Sequence, residues 1–112
     1  MQVYDTANRL AQEIKESEEY VNYKMAKQVI SLNNDLKKKI EEFEKARYEE
    51  QIMVMQTGKQ DYEKMKKVQE LYAELIEKEE AKKYFDAELK FNILLGDVNK
   101  IISEAVRDVI EK

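Results

Sequence analysis

Residues 84–110 read YFDAELKFNILLGDVNKIISEAVRDVI, and this stretch decides the fold. Tyr84, Glu88, Phe91, Leu95, Val98, Ile102, Ala105 and Val109 follow one another in steps of four and three without a miss. That rhythm keeps one stripe on one side of an α-helix. Phe85, Leu89, Leu94, Ile101, Val106 and Ile110 widen the stripe into a broad apolar face. The spacing predicts one helix over 81–110. At about 1.5 Å per residue it would span roughly 45 Å, whereas a compact globule of this chain length has a radius of gyration of only ~13 Å. Such a helix either bends or lays its surplus face against another chain, and association is the more economical outcome. The expected association residues are Tyr84, Phe91, Leu95, Val98, Ile102, Ala105 and Val109. Gly96 costs about 1 kcal/mol relative to Ala inside a helix. Because Leu95 and Val98 carry the stripe across it, Gly96 reads as a packing contact or mild bend in preference to a hinge.

Upstream, the chain has no Pro and only two Gly, so breaks must be found from caps and slips of phase. Asp5 is the expected N-cap of a first short helix, whose Ala7, Leu10, Ala11 and Ile14 recur at amphipathic spacing. Ser17, followed by Glu18 and Glu19, reads as the cap of a second helix. Its expected buried face combines Tyr20 or Val21 with Met25, Val29 and Leu32. Asn33 or Asn34 then caps a third helix, in which Leu36, Ile40, Phe43, Arg47, Glu50 and Val54 keep the coiled-coil rhythm. Arg47 and Glu50 either form a polar layer or mark a stripe drifting to Tyr48, Ile52 and Met55. Drift is favoured, because a straight helix rotates roughly 20° per heptad against a seven-residue repeat. Thr57-Gly58-Lys59-Gln60 is the clearest turn. Asp61 caps a fourth helix with Met65, Val68, Tyr72, Leu75 and Ile76 on its apolar side, and a phase change near Lys78-Glu79-Glu80 marks a further joint.

The expected fold is therefore all-α: a single domain over 1–112, with short helices over 5–32, a hairpin over 35–77 turning at 57–60, and the long helix over 81–110. Its architecture is an elongated helical hairpin or bundle that oligomerises through helix packing.

Composition removes more chemistry than it supplies. The 112 residues include no Cys, His, Trp or Pro. A Cys or His nucleophile, a His base, a Cys- or His-ligated zinc and a Cys-ligated iron–sulfur cluster are excluded within this chain, as is a disulfide. No cofactor and no metal site is expected. Adjacent acids such as Glu41-Glu42, Glu49-Glu50 and Glu79-Glu80 point about 100° apart on a helix and share no site. Gly58 and Gly96 build no phosphate loop, and neither sits in a calcium-loop pattern. No catalytic residue is assigned, and the chain does not read as an enzyme.

The charge balance is 20 basic against 24 acidic residues, a net −4, which gives no general reason to bind a polyanion. Lys37-Lys38-Lys39, Lys66-Lys67 and Lys82-Lys83 lie close to acids and read as solvated, ion-paired faces. An RNA-binding accessory protein using these lysine-rich faces is the alternative reading. Tyr20, Tyr72 and Tyr84 read as core or interface edges, and Met25, Met53, Met55 and Met65 as core filling in preference to a partner groove. No apolar run approaches the roughly 20 residues that cross a bilayer, and no secretory signal is visible, so a cytoplasmic protein is expected.

Two stretches carry a recognisable pattern: YDTANRLAQEIKESEEY over Tyr4–Tyr20 and YFDAELKFNILLGDVNKIISEAV over Tyr84–Val106. With the helical hairpin between them, the chain resembles the YlbF/YmcA family of small helical bacterial proteins, in its YheA-like branch. The resemblance implies a non-enzymatic, oligomeric adaptor or regulatory protein of the bacterial cytoplasm. Better-studied branches act with a third protein in a complex that influences sporulation, competence, biofilm formation and RNA maturation. Those branches are also linked to iron–sulfur clusters held by cysteines, which this sequence cannot supply. A homo-oligomer with further protein partners is the expectation.

Overall fold

A computed structural model describes residues 1–110 of the chain. Among these, six helices account for the regular structure: α1 (Gln2–Glu16), α2 (Glu18–Ser31), α3 (Asn34–Thr57), α4 (Tyr62–Leu75), α5 (Glu79–Ala105) and α6 (Arg107–Ile110). The fold class is all-α. The chain divides into two compact units, one built from Lys27–Tyr84 and one from the two ends, Met1–Ala26 and Phe85 onward. Helices α2 and α5 contribute residues to both.

In the hairpin unit, local chemistry sets the helix ends. The Asn33 side chain accepts from the Leu36 N–H at 3.1 Å, and Asp61 Oδ1 accepts from the N–H groups of Glu63 at 2.9 Å and Lys64 at 3.3 Å. Each satisfies donors that the first helical turn leaves open. Helix α3 stops at Gly58, whose φ of 72° is left-handed and whose N–H returns to the Val54 carbonyl at 2.8 Å. Only glycine takes that conformation without crowding a Cβ. Thr57 tightens the reversal by donating to the Met53 carbonyl at 2.8 Å.

The buried side chains of this unit are Ile30, Leu36, Ile40, Phe43, Leu75, Ala81 and Tyr84. Phe43 lies against Tyr72, ring centroids 5.7 Å apart, and the Arg47 guanidinium sits 5.1 Å from the Phe43 ring. This contact explains why the α3 stripe does not drift. Arg47, Glu50 and Val54 remain half-buried in line with Phe43, while Tyr48 and Met55 are exposed and Ile52 is half-buried. The expected drift is thus corrected to a polar layer: the arginine stem packs along the seam and its charge rests on an aromatic face.

The terminal unit is looser. Helix α1 starts at Gln2 with Met1, not Asp5, at its N-cap position; the Met1 carbonyl accepts from Tyr4 and Asp5, which leaves Asp5 in the first turn against the positive helix end. Ser17 separates α1 from α2. Its Oγ donates to the Ile14 carbonyl at 2.6 Å and accepts from the Tyr20 N–H at 3.2 Å, closing one helix and opening the next. The face of α2 is also corrected. Val21, Met25, Val29 and Leu32 are exposed, whereas Tyr20, Tyr23 and Ala26 are half-buried. The aromatic side of the helix wins because Tyr20 and Tyr23 both reach Phe91, at centroid distances of 5.9 and 5.7 Å.

Candidate functional site

The stripe on α5 and α6 changes character along its length. Tyr84 is buried, and its hydroxyl donates to Glu44 Oε1 at 3.0 Å within the hairpin unit. It is spent inside its own chain and offers no surface. Phe91 is half-buried between Tyr20 and Tyr23, and the Tyr23 hydroxyl donates to Glu88 Oε2 at 3.3 Å. Leu95 and Val98 are half-buried as well. From there outward the cover ends: Ile102 is 52% exposed, Ala105 is exposed, and Val109 is 81% exposed.

The single helix expected over 81–110 is interrupted at Val106. Its N–H bonds the Ser103 carbonyl at 3.3 Å in a tighter turn, and its own carbonyl then accepts from Val109 and Ile110, both at 3.2 Å. No glycine or proline marks this break, so the sequence carries no signal for it. Gly96 lies within unbroken helix, and a Cβ added there would meet nothing within 4 Å. The close approach expected at Gly96 is therefore absent within the described chain.

The remaining chemistry-bearing clusters gather no site. Tyr62, Glu63, Lys66, Lys67 and Glu70 line a shallow open depression on α4 alone. Among the described residues no group of three acidic side chains could hold a metal ion, and no helix is long and apolar enough to cross a membrane. Lys39 pairs with Glu74 at 3.1 Å between half-exposed side chains, as surface lysines commonly do. Of the methionines read as core filling, Met25 and Met55 are exposed, and Met53 and Met65 are half-buried.

The helical pattern can be set beside known proteins. The family described as "Control of competence regulator ComK, YlbF/YmcA" matches residues 3–107. The chain belongs to the YlbF/YmcA family. Within it, the curated relatives are UPF0342 proteins, the YheA family. A UPF0342 protein of Desulfitobacterium hafniense is 34% identical over 110 residues, covering 98% of this chain and 89% of that protein. One from Symbiobacterium thermophilum is 36% identical over 104 residues, covering 93% of each chain. A third, from Clostridium novyi, is 32% identical over 108 residues, covering 96% of this chain and 95% of the relative. The YlbF/YmcA match spans both the hairpin and the terminal unit, so the bare stripe on α5 and α6 lies within the family region up to residue 107.

Proposed function

We propose that this YlbF/YmcA protein is a non-enzymatic adaptor or regulatory subunit of the bacterial cytoplasm that works as a homo-oligomer. It associates through the outer part of the stripe on α5 and α6, where Phe91, Leu95, Val98, Ile102 and Ala105 share one face of α5 and Val109 follows on α6. Tyr84 anchors the stripe from inside and does not meet the partner. The observation that carries the reading is the exposure of Ile102 and Val109 on a face whose inner residues are half-covered. Large apolar side chains in contiguous exposed patches mark interaction surfaces on soluble proteins. The family description, which names control of a competence regulator, supports a regulatory role over a catalytic one.

Fully burying such a side chain contributes about 1.5–3 kcal/mol, so two charged replacements should remove most of the association energy. Light scattering at micromolar concentration tests this: the wild type should be oligomeric, and Ile102→Asp with Val109→Asp should be monomeric and still helical. A monomeric wild type refutes the proposal.

A further inference from the structure

All of the chain's sulfur is thioether. It has five Met and no Cys, so any reversible oxidation at sulfur falls on methionine. The five are unevenly placed. Met53, Met55 and Met65 flank the Gly58 turn within residues 53–65, while Met1 and Met25 lie far from it in sequence.

Their surroundings differ as well. Met1, Met25 and Met55 are 85%, 57% and 81% exposed, whereas Met53 and Met65 are half-buried. Between Arg47 and Leu75 the hairpin has no sealed side chain. Its partly covered apolar residues there are Ile52, Met53, Val54, Met65, Val68 and Leu71. Two of the six that hold the outer arm together are therefore open to oxidation.

We infer that Met53 and Met65 form a modification site for hydrogen peroxide, and that their oxidation opens the outer arm of the hairpin while its base stays folded. In the step, the thioether sulfur attacks one peroxide oxygen and the O–O bond breaks. The sulfur gives up two electrons and keeps that oxygen as a sulfoxide, and the other oxygen leaves as water with both hydrogens. Partial cover is what makes the site responsive. A half-buried sulfur is within reach of an oxidant little larger than water, yet its apolar contacts count in the seam. The sulfoxide is polar and must be hydrated or hydrogen-bonded, which draws the side chain out of the seam. No sealed neighbour resists, since Leu36, Ile40, Phe43 and Leu75 all lie toward the base. Segments with few buried contacts are the ones that open locally. At Met1, Met25 and Met55 the same oxygen is added to a surface already in water and changes nothing. This device is independent of the self-association proposed above.

Treating the full chain with hydrogen peroxide, then following peptide mass and amide hydrogen exchange, tests it. Once Met53 and Met65 carry sulfoxide, amides in 48–57 and 62–71 should exchange about tenfold faster or more, with those in 36–43 and 75–84 held within about twofold. Methionine sulfoxide reductases for both epimers should restore the protection. Met53→Leu with Met65→Leu conserves volume, so this variant should fold and keep its protection in peroxide while Met1, Met25 and Met55 still oxidise. Met25→Leu with Met55→Leu should respond as the wild type does. Unchanged arm exchange with both sulfoxides in place overturns the inference. So does equal loosening of the Met53→Leu, Met65→Leu variant, or base exchange that rises with that of the arm. Failure of these two sulfurs to react in peroxide that converts the other three overturns it as well.

Discussion

Leu75→Ala should be the most damaging single truncation in the hairpin unit. Leu75 ends α4 and is 2% exposed, in the same unit as buried Leu36, Ile40 and Phe43 on α3. Truncation loses the transfer energy of the removed carbons and leaves a cavity, together about 2–5 kcal/mol for Leu→Ala. Two helices joined by a short turn can close part of that space, which places the expectation near 3 kcal/mol. With a domain this small, each kcal/mol shifts the melting temperature by about 4–8 °C, so a fall of about 12–24 °C is expected. Urea unfolding followed by far-UV circular dichroism provides the free energy directly, as a lower midpoint at unchanged slope. Association should persist wherever the chain is folded, because Leu75 lies in the hairpin unit and the bare stripe in the terminal one. A loss below about 1 kcal/mol would refute the assignment of Leu75 to the core.

Tyr84→Phe deletes only the hydroxyl that Glu44 accepts; it should cost about 0.5–1.5 kcal/mol in urea unfolding and leave the oligomer unchanged by light scattering. Any dissociation would return Tyr84 to the interface. Gly96→Ala should stabilise the chain by about 0.5–1 kcal/mol in thermal melts, since the added methyl meets open space in mid-helix. A destabilised variant would mean that another helix approaches there. Asp61→Ala removes acceptors from Glu63 and Lys64 and should cost about 1 kcal/mol in urea unfolding.

What could be read from the sequence was what short-range chemistry decides. Asn33, Asp61 and Ser17 act as caps because a side-chain oxygen and a helix N-terminus are neighbours along the chain, with no help from packing. The reading failed where distant residues choose. Tyr20 was read on the inner face of α2, but nothing near Tyr23 announces Phe91, so Met25, Val29 and Leu32 looked inward although they are exposed and Tyr23 is covered. Arg47 looked like a break in the α3 seam because a charge in a stripe is unfavourable until a ring lies beneath it. The apolar stripe on α5 was legible in the 4-3 spacing, but not how far its own chain covers it. That depends on where α2 places Tyr20 and Tyr23, and Tyr84 was assigned outward because nothing near it in sequence announces Glu44.

The hairpin's sealed residues are crowded at one end. On α3 they lie at Leu36, Ile40 and Phe43, on α4 at Leu75, and none occurs between 44 and 74. The tip around Gly58 therefore works like the outer end of a cantilever, sealed at its base and held further out by half-covered side chains such as Val54 and Met65. Matched helical turns spliced in or trimmed on either side of that glycine would leave the anchorage intact, so the reach of the arm can change without loss of its root.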